Sequence, residues 1–274
     1  MIKTGISILG VVFAMTTGFA NTQPEQETLE NEATDKNFVD IKQKAFKPGE
    51  KLVYRFSYGP FDAGEATLTV DETDKVVRGR KLWRMRGIGK TISAFEWFYK
   101  VYDRYETYMD AEAMVPWIFI RRVNEGGYII EQDYIFHQHK NVVDNGEGKK
   151  FNVPDMVQDM ISSFYYARTM DFKKAKIGER YKVDIFLDDE LFPTEIKYMG
   201  LEVLKTRKGK FKCYKFAPVV QEGRVFTSEE DLTVWITADE NKIPIMAKAN
   251  IQVGSIKMHL VGWEGLANPV AIVQ

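Results

Sequence analysis

The chain has 274 residues, and its 38 lysines and arginines against 39 aspartates and glutamates leave a formal net charge of -1. With no positive excess to recruit a polyanion, a nucleic-acid partner is not expected. At 45% hydrophobic and 28% charged residues the composition is that of a folded globular protein, and the single cysteine excludes a disulfide framework or a cysteine-rich metal knuckle.

Lys3 precedes an apolar run from Ile6 to Ala20 that ends in the small residues Gly18 and Ala20. This is the layout of a secretory signal peptide over residues 1–20, with cleavage expected after Ala20 and a periplasmic destination for the mature chain. The run is short for a membrane span and broken by Gly and Thr; an uncleaved anchor stays open as the alternative. No second long apolar segment follows, so the mature chain is expected to carry no transmembrane segment. Residues 21–45 are acidic at first and poor in large apolar side chains, which reads as a flexible spacer. Residues 46–266 read as one β-rich domain and residues 267–274 as a C-terminal tail; the oligomeric state is left open.

From Lys51 the pattern has period two. Leu52, Tyr54, Phe56 and Tyr58 alternate with Val53, Arg55 and Ser57, Gly59-Pro60 breaks the run, and Ala66, Leu68 and Val70 resume it, which describes an antiparallel hairpin. Gly64, in the connection, is expected to mark a positive φ or a bulge. Strands are predicted over Leu82–Ile88, Tyr99–Met109, Trp117–Val123 and Tyr128–Phe136, the last two joined by a Gly126-Gly127 turn. A later series covers Tyr181–Leu187, Thr194–Tyr198, Leu201–Thr206, Phe211–Phe216, Leu232–Thr237, Ile245–Val253 and Ile256–Trp263, with turn residues at Lys208-Gly209 and Asp239-Glu240-Asn241.

One segment has helical period. Asp155 is placed to cap it with Gln158 completing a capping box, and Val157, Met160, Ile161, Phe164, Tyr165 and Arg168 share a face. A shorter helical turn is expected around Ile92 to Phe98. The predicted fold is therefore mainly β with minor α: a large curved antiparallel sheet or half-barrel wrapping one amphipathic helix.

No catalytic motif appears: no Gly-x-Ser-x-Gly, Ser-x-x-Lys, His-Glu-x-x-His or phosphate loop. His137 and His139 project to one face of a strand end and are weak candidates for a metal, lacking an evident third ligand; the alternative is a solvated strand end. No cofactor is expected. Asp188, Asp189 and Glu190 read most simply as a solvated turn, and Cys213 as a small buried residue. Arg168 continues the apolar stripe in place of a hydrophobe, so it either snorkels at the helix C-terminus, pairs with a buried carboxylate, or holds a ligand anion; the structural roles rank first. Asp159 has the matching dipole explanation near the helix start.

Aromatic residues are in excess: Trp83, Trp97, Phe98, Tyr99, Tyr102, Trp117, Phe119, Tyr134, Phe164, Tyr165 and Tyr166. Most belong to a core, but a curved sheet closed by one helix often leaves an aromatic-lined space, for which Trp83, Trp117, Phe164, Tyr165 and Arg168 are the candidate ligand-binding residues.

The segments KPGEKLVYRFSYGPFDAGEATLTV, VQDMISSFYYAR and LTVWITADENKIPI resemble the exported bacterial family of domain of unknown function 3108. The pattern rests on Gly49, Glu50, Gly64, Pro116, Asp159, Tyr165, Arg168, Trp235, Asp239 and Pro244. The resemblance implies an exported domain without an established activity. A looser likeness, of architecture alone, is to periplasmic lipoprotein-carrier half-barrels. The leading expectation is a non-enzymatic periplasmic binding or carrier protein for an apolar or amphipathic envelope molecule, such as a lipid. Two others stay open: an envelope glycan hydrolase or lyase using paired carboxylates such as Asp159 and Asp239, and a scaffold of an envelope complex.

Overall fold

The computed structural model of the chain describes residues 38–92, 97, 99–219, 232–250 and 254–273. The expected leader, the expected spacer as far as residue 37, most of the short helical turn expected around Ile92 and the last three residues of the strand expected to end at Val253 lie outside the described residues. What is described is mainly β: fifteen strands form one curved antiparallel sheet that does not close, and a single helix lies against it.

The strands are β1 (Lys51–Tyr58), β2 (Phe61–Val77), β3 (Arg80–Thr91), β4 (Val101–Asp110), β5 (Pro116–Glu125), β6 (Tyr128–His137), β7 (Val142–Asp144) and β8 (Lys150–Asn152). After the helix α1 (Met160–Thr169) come β9 (Arg180–Leu187), β10 (Glu190–Thr206), β11 (Gly209–Val219), β12 (Leu232–Thr237), β13 (Pro244–Asn250), β14 (Ser255–Glu264) and β15 (Ile272–Val273). Their spatial order is β8-β7-β6-β5-β4-β3-β2-β1-β14-β13-β12-β11-β10-β9, with β15 beside β11. The sheet is thus two meanders joined where β1 meets β14.

Period-two alternation placed these strands well, because each has one buried face: β1 buries Leu52, Tyr54 and Phe56, and β2 buries Gly64, Ala66, Leu68 and Val70. Turn chemistry sets the hairpins. Gly126 and Gly127 both have left-handed backbones, as the two-residue turn between β5 and β6 requires. Asp188 and Asp189 do the same between β9 and β10, at φ 52 and 62.

Several details differ from expectation. The two runs read as separate strands, Thr194–Tyr198 and Leu201–Thr206, are one strand with a register shift at Gly200. Gly64 does not sit in a left-handed turn; it lies within β2 opposite Phe56, and the register shift beside it passes over Ala63, so the bulge half of the expectation holds and the positive-φ half does not. Residues 38–45, taken from sequence as the end of the spacer, pack on the domain: the Phe38 ring meets Trp117 edge-on at 5.7 Å and Ala45 is buried. The tail also joins the sheet through β15.

The helix starts at Met160, and its cap is Asp159 with Ser162 completing the box, four residues beyond the predicted cap of Asp155 with Gln158. The reason is the segment before it. Met156 takes a positive φ of 60, and Gln158 is drawn into a parallel bridge with β9, its N–H donating to Asp184 and its carbonyl accepting from Phe186, each at 2.8 Å. A helix cannot satisfy those same groups internally. At ten residues α1 is too short to persist alone, so the sheet must hold it, and it does so at both ends.

Candidate functional site

The Asp159 carboxylate accepts the Ile161 and Ser162 amides at 2.8 Å each and the hydroxyl of Thr107, on β4, at 2.9 Å. This fixes the start of α1 to the sheet. Asp159 is fully buried, and burial pushes its carboxyl up to about 7 despite those hydrogen bonds.

The other end is fixed by Arg168. Snorkelling, one of the sequence-based readings, is overturned: Arg168 is 1% exposed, and its guanidinium grips Glu50 with both Nη atoms, at 2.6 and 2.8 Å. Its Nε donates to the Asn241 carbonyl at 3.0 Å and Nη2 also donates to Ala45 at 3.1 Å. The rings of Phe46, Tyr165 and Phe164 lie within 5.1 to 5.9 Å of the cation. A buried cation on the apolar face of a helix is tolerated here because Glu50 is equally buried and two carbonyls accept further N–H groups of the guanidinium. Glu50 arrives at this spot through Gly49, whose φ is 93 and whose carbonyl is approached so closely by Gly265 that a Cβ on the latter would fall 1.9 Å from it.

Between these two anchors, α1 spans a partly open cavity of about 210 Å³. The helix contributes Met160, Ile161, Ser163, Phe164, Tyr165, Ala167 and Arg168. Across from it lie Tyr54 and Phe56 of β1, Ala66 and Leu68 of β2, and a run of small or medium side chains on β9 to β14, among them Val183, Thr194, Pro218, Val234, Pro244 and Ala247. No aspartate or glutamate is among the described lining residues. For scale, a cavity of roughly 150 Å³ lined by aliphatic and aromatic groups suffices to bind benzene.

Of the five candidate ligand residues, the structure brings together Phe164, Tyr165 and Arg168 on this cavity. Trp83 packs edge-on against Phe46 at 6.1 Å and Trp117 belongs to a separate cluster, where its indole donates to Asp110 at 3.2 Å; neither lines the cavity. Tyr54, Ala66, Thr194 and Ala247 were not singled out from sequence. Alternation marked their face, but nothing local to a strand says that an inward residue is too small for the space it faces.

The remaining candidates are elsewhere. His137 and His139 stand 6.1 Å apart, His139 tilted over Trp117, and burial holds the His137 imidazole below its usual range. Among the described residues no three His, Cys, Asp or Glu side chains are grouped as a metal would need. The Cys213 thiol is buried and pushed up to about 12 by that burial, so it is not a thiolate at neutral pH. Asp239 is an Asx-type acceptor for Thr237, Asn241 and Ala271, at 2.7, 3.0 and 3.1 Å, and so fastens the C-terminal segment to the β12–β13 turn.

Asp188 and Asp189 are not simply solvated. Arg121 donates to Asp188 at 2.6 Å, while Tyr134 and Asn145 each donate to Asp189 at 3.0 Å, so the β9–β10 turn stitches the two ends of the open sheet.

A family model described as protein of unknown function (DUF3108) matches residues 53–261. No curated protein matches the chain. Among solved structures, a β-barrel-like protein of domain of unknown function DUF1849 from Brucella abortus is 11% identical, covers 81% of this chain and 99% of its own, and superposes with a TM-score of 0.51, a likeness of fold. A hypothetical protein from Chlamydia trachomatis, 7% identical over 86% of this chain and 97% of its own, reaches 0.36. The lipoprotein LppX of Mycobacterium tuberculosis, 12% identical over 81% of this chain and 89% of its own, reaches 0.17.

Proposed function

This chain belongs to the family described as protein of unknown function (DUF3108), and for it we propose a non-enzymatic binding or carrier role, holding an apolar or amphipathic envelope molecule between the sheet and α1. The observation that carries the reading is the cavity: about 210 Å³ lined mainly by aliphatic and aromatic side chains, spanned by a helix pinned at both ends. Such a space has an energetic cost when empty and is a natural site for apolar groups. Phe164, Tyr165 and Arg168 are the residues carried forward from sequence as its lining.

The glycan hydrolase reading has less support. Its carboxylates would have to face a shared opening, roughly 5 to 10 Å apart. Asp159 is sealed at the helix cap and Asp239 is engaged in a turn, and neither is on the cavity.

Export to the periplasm is part of the proposal and rests on the leader pattern of residues 1–20. Among the described residues no helix is long and apolar enough to cross a membrane. Native mass spectrometry of the chain purified from its own envelope is expected to find a bound apolar or amphipathic molecule, and N-terminal sequencing is expected to begin at Asn21. A chain that carries no such molecule and takes none from an envelope lipid extract overturns the binding role. Retention of residues 1–20 overturns the cleaved leader.

A further inference from the structure

Tyr54, on β1, and Tyr165, on α1, both line the cavity and are both buried to within 1%. Neither hydroxyl has a hydrogen-bond partner among the described residues. A phenol is a donor and an acceptor, and buried polar groups are nearly always paired, so two orphans on one cavity are unusual. Phenylalanine would fill the same positions without that cost. The Tyr165 ring lies 5.4 Å from the Arg168 guanidinium, and the Tyr54 ring lies 6.5 Å from Phe164, whose own ring is 5.9 Å from the same cation, so both phenols belong to the part of the lining next to the Arg168–Glu50 pair.

The charge at that place is already spent. Arg168 is the one ionic residue among those described as lining the cavity, and Glu50 engages it through two hydrogen bonds while two carbonyls take further N–H groups. A carboxylate or phosphate entering here would leave water without gaining a free counter-charge, and the penalty for that is severe. A neutral oxygen loses far less, and the two unpaired hydroxyls, which have no surface open to the cavity as the rings stand, meet it when those rings turn toward it.

We propose that the cavity takes a single apolar chain or ring bearing a neutral oxygen-containing head, an alcohol, ester or amide, hydrogen-bonded by the hydroxyls of Tyr54 and Tyr165, and that it discriminates against anionic heads. This rests on the binding role above and narrows its ligand class. The size agrees: about 210 Å³ holds one chain segment or ring, and falls below the roughly 300–1,000 Å³ usual for whole drug-sized ligands. The rest of a larger molecule extends through the open side. Burial holds both phenols above their ordinary range, so they remain donors at neutral pH.

Calorimetric titration of the purified chain at neutral pH with chain-matched probes tests this: octane, octanol, methyl octanoate, octanoate and octyl phosphate. Octanol and methyl octanoate are expected to bind at least about 10-fold more tightly than the two anions. Tyr54→Phe and Tyr165→Phe are each expected to weaken the neutral oxygen-bearing probes about 5- to 10-fold, leave octane unaffected, and leave the ligand-free melting temperature unchanged or higher, since an unpaired buried hydroxyl is removed. Anions binding as well as their neutral counterparts, or Phe variants that bind octanol as the parent does, overturn the neutral-head inference while leaving the binding role standing. Failure of every probe, octane included, overturns the binding role itself.

Discussion

Toward one end of the sheet, Tyr134, Phe136 and Phe151 of β6 and β8 meet Phe186 of β9, Tyr134 and Phe151 each 5.2 Å from its ring, and Phe119 and then Tyr105 extend the stack from Tyr134. Under α1, the inward positions of β2, β12 and β13 carry Ala66, Val234 and Ala247 instead. Both regions alternate with period two and both bury their inner face. The difference is side-chain volume: large rings interdigitate into a filled core, and small residues opposite a helix that cannot descend further leave a cavity. The helix cannot descend because Asp159 and Arg168 fix its two ends. Pattern therefore decides which face is inside, and size decides whether the inside is a core or a site.

The two largest effects are expected one in each region. In the filled region, Phe136→Ala removes a ring that touches Tyr134 and Phe186 and should cost about 3–5 kcal/mol in chemical denaturation. A loss under about 1 kcal/mol would mean that this end is not packed as described. Beside the cavity, Arg168→Met strands the buried Glu50 and should also cost about 3–5 kcal/mol. The double variant Arg168→Met, Glu50→Leu should recover most of that loss, because a buried ion pair is worth little more than well-packed apolar groups of similar size. If the double variant is as damaged as the single one, the pair positions the helix through more than its charge balance.

The filled region was largely legible in the sequence, since runs such as Phe119 to Val123 and Tyr134 to Phe136 show their alternation over a few residues. The cavity was legible only as its aromatic wall, Phe164 and Tyr165. Its floor depends on which strands β1 and β14 bring together across about 200 residues of chain, a pairing that local periodicity does not contain. The Arg168–Glu50 pair had a usable signal: both residues stood in the family pattern, and each is hard to bury without a counter-charge. The helix start was misplaced because Gln158 is claimed by β9, a tertiary demand that overrides a plausible capping box.

A smaller effect concerns the other anchor. Asp159 has a folded-state pKa of about 7, raised by burial above an ordinary value of 3.8. Between those values the native chain holds a proton that the unfolded chain has released, so stability falls as pH rises from about 4 to about 7 and levels off above that. The Asp159 share of this fall should be roughly 2–4 kcal/mol. Asp159→Asn keeps an oxygen for the two helix amides and for Thr107 and cannot ionise. The stability difference between parent and variant should therefore move against the parent across that window. A difference that stays constant from pH 4 to 7 would show that Asp159 is ionised throughout.

The smallest expected change in stability is also the sharpest test of the contrast between the two regions. Ala247 lies on β13 between Val234 and Met258, is 3% exposed, and lines the cavity. Valine suits a strand and adds two methyl groups toward the space. In a filled core such an addition costs about 1–3 kcal/mol through displaced neighbours. Into an open cavity it should change stability by no more than about 1 kcal/mol, in the stabilising direction, as cavity filling does. The same variant should weaken octanol about 10-fold or more, because the methyl groups occupy the volume that the probe needs. Paired melting and calorimetry curves read both quantities from one preparation. A loss of more than about 2 kcal/mol would mean that the small side chains of this half are as closely packed as the rings of the other, and that no site lies beneath α1.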